Sequence, residues 1–152
     1  MSLRVIFITG ANGGLGVATA RAFLTESPDN CVWLGVRQRR EAAERLAGEF
    51  PGRCELAELD VTQPTAWRSA VEIIIARHQR LDVLVNNAGF HADALLAQMA
   101  PESWRNVLAA NLDGTFHGCQ AVLPAMISQR HGRIVNIASL SALAAPAGQT
   151  NY

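Results

Sequence analysis

A doubly wound α/β domain built on a parallel sheet is the fold the sequence predicts. Three observations predict it: short apolar runs that read as buried strands, amphipathic helical stretches alternating with them, and short connections that suit right-handed βαβ crossovers. Val5-Ile6-Phe7-Ile8 is the first strand, β-branched and nearly continuous, as expected when helices cover both faces of a parallel sheet. Leu15, Ala18, Ala22 and Phe23 then recur at helical spacing, and Val32 to Val36 makes the second strand. Ala43, Leu46, Ala47 and Phe50 mark a second helix, which Pro51-Gly52 ends, and Cys54 to Leu59 is a third strand. Thr62 is placed as an N-cap with Pro64 in the first turn, ahead of a helix whose face carries Trp67, Val71, Ile74 and Ile75. Leu81 to Val85 is strand four. Pro101-Glu102 opens a helical region in which Trp104, Val107, Leu108, Asn111 and Leu112 share a face, and Gly114 and Pro124 are both candidates to break it. Arg133 to Ala138 is strand five.

In the Rossmann order these strands lie 3-2-1-4-5, with the switch point between strands one and four. No repeat, linker or low-complexity segment interrupts them, so residues 1–152 read as a single dinucleotide-binding domain. A chain of 152 residues can bury one sizeable core, and 49% apolar against 17% charged residues marks it as globular. Lys plus Arg and Asp plus Glu stand at 13 each, which leaves no electrostatic footprint for nucleic acid or an anionic membrane. Cys31, Cys54 and Cys119 are odd in number and set in apolar runs, as free buried thiols in a reducing compartment would be. Met1-Ser2-Leu3 leads straight into a strand with no room for a signal peptide, and no apolar run approaches membrane-spanning length. The expected location is the cytoplasm. His78 continues an apolar helical face and reads as a core-edge residue. His91, His117 and His131 show no ligand spacing, and no Cys/His cluster points to a metal.

The glycines carry the first chemistry. Gly10, Gly14 and Gly16 follow strand one and open a helix. Gly10 permits a tight turn, while the others let the backbone approach a pyrophosphate and let helix pack on strand. The helix N-terminus then offers free N–H groups and its positive dipole end to phosphate. A site of this kind places an acidic residue about 20 positions beyond the turn to hold the ribose 2′-hydroxyl. Here that position is Val36, followed by Arg37, with Arg39 and Arg40 nearby. An apolar side chain cannot hold the hydroxyl, whereas a guanidinium pairs with a 2′-phosphate. The cofactor expected is therefore NADP, as NADPH.

The segment Thr9 to Gly16, the Asn86-Asn87-Ala88-Gly89 tetrapeptide after strand four, and the Ser139 and Tyr152 pair thirteen residues apart together resemble the short-chain dehydrogenase/reductase family. The resemblance covers the whole chain. It implies cofactor contacts from Gly10, Asn12, Gly13, Gly14, Leu15 and Gly16, from Asp60 and Val61 at the adenine, and from Asn87, Ala88 and Gly89. Asp60 is also suited to cap the helix behind it. Catalysis would fall to Tyr152 as proton donor, Ser139 as the group that polarises the carbonyl, and Asn111 as holder of a water in the proton relay. NADP-using members often carry a basic residue in the glycine turn, where this chain has Gly13.

Within the family, Gly132 to Ser139, Gly148 to Tyr152 and Leu95 to Met99 are most similar to 3-oxoacyl-[acyl-carrier-protein] reductases and acetoacetyl-CoA reductases. Those enzymes often have Thr-Arg-Asp after the Asn-Asn-Ala-Gly loop, where this chain reads His91-Ala92-Asp93. The implied activity is reduction of a 3-oxoacyl thioester, free or on an acyl carrier protein, by a dimer or tetramer. Arg130 and Arg133 offer charge to such a carrier, or are simply solvated. A reductase of another ketone, sugar or secondary alcohol shares every motif present. A nucleotide-binding regulator without turnover is the reading from another class, and Ser139 with Tyr152 speaks against it.

In the family a Lys follows the Tyr by one helical turn. The sequence given ends at Tyr152. The expectation is therefore that the chain is the N-terminal part of a longer reductase. A polypeptide of these residues alone is expected to show no measurable ketone reduction in an NADPH-consumption assay. A stable monomer with normal turnover would sink that expectation and the role given to the Lys.

Overall fold

The computed structural model describes residues 3–152, so the reading of Met1-Ser2 lies outside the described residues. Five strands form one parallel sheet: β1 Arg4–Thr9, β2 Asn30–Val36, β3 Cys54–Glu58, β4 Val83–Asn86 and β5 Arg133–Asn136. Their order is β3-β2-β1-β4-β5, the Rossmann-like arrangement expected. Helices α1 Gly14–Glu26 and α2 Glu41–Glu49 lie against one face. Helices α3 Pro64–His78 and α5 Gly114–Ser128 lie against the other.

Strand alternation divides the core between the two faces. Val5 and Phe7 of β1 join Trp33, Trp67, Ile74 and Val122, while Ile6 and Ile8 join Leu24, Leu34 and Leu46. All four β1 side chains are fully buried, which is why the run reads as continuously apolar rather than alternating. Trp67 meets Phe7 edge to face at 5.8 Å, and its indole N–H donates to the Val61 carbonyl at 3.0 Å. The aromatic body fills the core while its polar edge is satisfied. Among the described residues Asp82 is the one carboxylate with no exposure, and its position explains it. It accepts the Val5 N–H at 2.8 Å and two Arg80 N–H groups at 2.8 and 2.6 Å, tying the start of β4 to the start of β1.

Two local expectations differ from the structure, and one question left open by the sequence is answered. In α1 the buried positions are Gly16, Ala20 and Leu24, whereas Leu15 is exposed, so the helix is turned from the expected Leu15–Ala18–Ala22 face. Close packing of Gly16 on the preceding turn dictates that rotation. Thr62 is not a cap: Gln63 holds the N-cap position of α3, and Thr62 gives both its N–H and its hydroxyl to Asp60. Finally, neither Gly114 nor Pro124 breaks the helical region. Helix α4 Pro101–Leu108 runs through a π turn at Ala109–Asp113 into α5, which contains Pro124. Val107 is buried, but Trp104 and Leu112 are exposed, so the expected common face is not the buried one.

The cysteines are free, with only Cys54 fully buried, where burial pushes its thiol up to about 11. His78 accepts the Trp33 indole N–H at 3.0 Å, as befits a core-edge residue. Among the described residues no helix is long and apolar enough to cross a membrane. None of their His, Cys, Asp and Glu residues form a group of three or more able to hold a metal ion.

Candidate active site

The carboxyl ends of β1, β4 and β5 lie side by side, since Ile8 pairs with Val85 and Asn86 with Asn136. The chain leaves the sheet there in three loops, and each carries a sequence motif. The glycine turn is shaped by contact. Gly10 adopts φ +61, and a Cβ on it would stand 2.8 Å from the Ala88 Cα. A Cβ on Gly16 would meet the Gly10 carbonyl oxygen at 2.6 Å. Gly14, by contrast, faces open space, and the first turn of α1 has no side-chain cap and no acidic residue. Its N–H groups and dipole are thus left to an anion.

Thr9 fastens the Asn87 loop to that turn. Its hydroxyl oxygen accepts the N–H groups of Asn87 at 3.0 Å and Ala88 at 2.9 Å. The Asn87 amide returns two bonds, to the Thr9 carbonyl at 2.9 Å and the Gly10 carbonyl at 3.3 Å. One residue earlier, the Asn86 amide donates to Asn136 at 2.9 Å, linking β4 to β5. At the end of β2, Arg37 reaches the Asp60 carboxylate at 3.4 Å. Burial alone would raise the Asp60 pKa, but hydrogen bonds from Thr62 and the nearby Arg37 outweigh it and hold the group below its ordinary value. These ties are therefore present above the ordinary carboxylate range and are lost only as pH falls through the depressed value. Val61 packs beneath Gly114, where a Cβ would come within 3.0 Å of it.

Asn111 sits in the π turn and clasps Phe90. Its Oδ1 accepts the Phe90 N–H at 3.0 Å, and its amide donates to the Phe90 carbonyl at 2.9 Å. A Cβ on Gly89 would collide with that Oδ1 at 2.9 Å. The Ser139 hydroxyl accepts the Ser141 N–H at 3.1 Å, within the turn that starts α6 Ser141–Ala144. Tyr152 is half exposed, and its ring lies against the imidazole of His91, centroids 5.9 Å apart.

Residues 4–152 match the model of the short chain dehydrogenase family. The chain belongs to that family. It is 38% identical over 149 residues to the 3-oxoacyl-[acyl-carrier-protein] reductase FabG of Thermotoga maritima, covering 98% of this chain and 61% of that protein. To the reductase of the same name from Escherichia coli it is 33% identical, covering 98% and 60%. The crystal structure of a short-chain dehydrogenase from Streptomyces avermitilis superposes with a TM-score of 0.92 at 32% identity, over 100% of this chain and 55% of that one. The chain thus spans about three fifths of the length of the curated relatives it matches.

The short-chain dehydrogenase motifs account for the turn and the Asn87 loop, but not for what surrounds Tyr152. The Asp93 carboxylate accepts from Gln149 at 3.1 Å and lies 2.9 Å from His91 Nδ1. Those two hydrogen bonds hold Asp93 below its ordinary pKa. The Ala94 N–H donates to the Gly148 carbonyl at 2.9 Å, and the buried Asn151 amide donates to the Ala92 carbonyl at 2.9 Å. Asp93, Gln149 and Asn151 had no signal in sequence spacing, because 56 residues separate Asp93 from Gln149.

Replacing Thr9 with Val keeps the shape and removes the acceptor of two loop N–H groups. Each orphaned donor costs about 1–3 kcal/mol. Urea denaturation of the full-length protein is expected to show that loss for Thr9→Val, with Thr9→Ser recovering most of it.

Proposed function

We propose that this domain serves an NADP(H)-dependent oxidoreductase that reduces the ketone of a 3-oxoacyl thioester to a hydroxyl. The observation that carries the reading is the convergence of the glycine turn, the Asn87 loop and the Tyr152 segment on one edge of the sheet. Similarity to two 3-oxoacyl-[acyl-carrier-protein] reductases supports the substrate class.

The residues present fit a dinucleotide. The uncapped first turn of α1, with Gly14 facing open space, suits a pyrophosphate, and Gly10, Asn12, Gly13, Leu15 and Gly16 complete that cradle. Asp60 and Val61 would border the adenine, and Asn87, Ala88 and Gly89 the nicotinamide end. Arg37, exposed at the end of β2 and steadied by Asp60, would meet a 2′-phosphate. When bound, the nicotinamide supplies the hydride. Tyr152 gives its hydroxyl proton to the carbonyl oxygen, and Ser139 polarises that oxygen with a hydrogen bond. A free Tyr titrates at about 10, so donating and recovering a proton near neutrality needs a charged environment around it. The Asn111 amide is engaged by Phe90 and its backbone carbonyl accepts the Thr115 hydroxyl, so a relay water would have to share one of these groups. Arg130 and Arg133 flank the opposite, amino-terminal end of β5, so a carrier-bound substrate would enter away from them. Phe116, Leu123 and Ile127 leave an exposed apolar stripe on α5, which supports a homodimer or tetramer, working in the cytoplasm.

Two measurements test this reading. Full-length protein titrated with both cofactors is expected to bind NADPH more tightly than NADH. Arg37→Ala should reduce NADPH affinity by about ten- to a hundredfold, the equivalent of one charge-assisted contact. Equal affinities, or an indifferent variant, would overturn the cofactor assignment. In the second, acetoacetyl-CoA is expected to drive NADPH consumption faster than a panel of simple ketones and sugars. Turnover of the panel alone would refute the thioester assignment and leave the family intact.

A further inference from the structure

Asn12 stands directly before Gly13 in the glycine turn, and the two form the only Asn-Gly pair in the sequence. Gly13 has φ −81° and ψ 160°, backbone that any residue adopts. A Cβ there would come no nearer than 3.4 Å to the Gly10 carbonyl oxygen. Unlike Gly10 and Gly16, Gly13 is therefore not required as glycine by the packing of the turn. What a glycine leaves at this position is an unshielded backbone nitrogen beside an asparagine side chain.

The Asn12 amide is free to meet that nitrogen. Asn12 is half-buried, and among the described residues its side chain has no hydrogen-bond partner. Asn30, Asn86, Asn87, Asn111 and Asn151 are held by side-chain hydrogen bonds, and none of them precedes a glycine. The Gly13 N–H donates to the Gly10 carbonyl at 3.1 Å. One such bond contributes about 0.5–1.5 kcal/mol net, so it is open roughly a tenth of the time and slows an attack without preventing it. Gly13 is also the N-cap of α1, whose first turn has neither a side-chain cap nor an acidic residue. The positive end of the helix favours the negative charge that an attacking amide nitrogen develops.

We propose that Asn12 is a site of spontaneous deamidation, which a bound dinucleotide restrains and which, once complete, weakens dinucleotide binding. The part played by the dinucleotide rests on the reading of the glycine turn as its cradle. The Gly13 nitrogen gives its proton to solvent and bonds to Asn12 Cγ. The Cγ–Nδ2 bond breaks, ammonia leaves, and a five-membered succinimide closes. One water then opens the ring, at Cγ to give Asp or at the backbone carbonyl to give isoaspartate. Either product sets a carboxylate beside the helix end that a pyrophosphate would occupy. Isoaspartate also lengthens by one carbon a turn that Gly16 already closes tightly on Gly10. A phosphate held by the α1 N–H groups would keep the turn shut and cover Asn12.

Full-length protein is incubated at neutral and mildly alkaline pH, with and without saturating NADPH, and its peptides are weighed by mass spectrometry. Without cofactor, the peptide carrying Asn12 is expected to gain one mass unit and to separate into Asp and isoaspartate forms. The gain should be faster at the higher pH, because the attacking nitrogen must lose its proton. NADPH should slow it about tenfold or more by holding the turn bond closed. Gly13→Ala, whose methyl group shields the nitrogen, should keep its original mass. An Asn12 peptide that stays unmodified, or changes no faster than the other asparagine peptides, overturns the proposal. So does equal conversion with and without NADPH in a protein that binds it. Asn12→Asp supplies the product directly. Its dissociation constant for NADPH is expected to rise at least about tenfold, the effect of a like charge a few ångströms from a phosphate. Its Tm should not fall, since an acid suits that helix end, so the loss is not one of folding. Unchanged NADPH affinity would refute the consequence assigned to the modification. A wild type that binds neither NADPH nor NADH would sink the dinucleotide reading, and the mass gain would still decide the deamidation.

Discussion

The close approach of the β1 and β4 carboxyl ends governs the rest of the site. Two parallel strands that part company at a switch point open a crevice, and the crevice is only as well defined as the loops on either rim. Here the rims touch. The Gly10 backbone passes so near Ala88 that no Cβ could stand between them, and four hydrogen bonds cross the gap, donated by Asn87 and Ala88 to Thr9 and Gly10. Backbone groups leaving a sheet lose their ladder partners and, when shielded from water, must find others. Asn87 and Thr9 supply them, so one pair of side chains satisfies both loops and fixes their separation.

A second constraint follows one layer out. Pairing every peptide in the long helical region by the α pattern would give Asn111 a different direction. The π turn at Ala109–Asp113 inserts the offset that lets its amide meet both polar atoms of Phe90. A wide turn weakens helical pairing, and functional sites are where such turns are retained. Gly114 then brings α5 close against Val61, and Gly118 brings it against Trp67 and Asn86, so helix, the Val61 loop and strand end are packed together.

Much of this was legible in the sequence. The order of elements and the sheet topology were, because buried parallel strands announce themselves as β-branched runs such as Val5 to Ile8. The glycine turn was, because only glycine solves its two steric problems. What failed were features set by contacts between distant segments. Leu15 looked like the start of a buried helical face, but the seating of Gly16 on Gly10 turned it outward. Thr62 looked like a cap, but its hydroxyl turns back to donate to Asp60, and Gln63 takes the cap position. The Asp93–Gln149 bond joins residues with no local relation at all. Histidine read by spacing alone cannot reveal a tyrosine brought to it by a loop sixty residues on.

The two halves of the site are therefore built in different ways. The half around the glycine turn is backbone held by backbone and by two short polar side chains, on strand ends. The Tyr152 half is held by the backbone and side chains of the loop after β4. Within residues 90–94 that loop grips the π turn through Phe90, Tyr152 through His91, Gln149 through Asp93 and Gly148 through Ala94. A change at any of these positions is transmitted to Tyr152 and to the segment around it. A change in the glycine turn is felt at the Asn87 loop instead. It is in the loop after β4 that His91-Ala92-Asp93 departs from the Thr-Arg-Asp often found in the reductases this chain resembles.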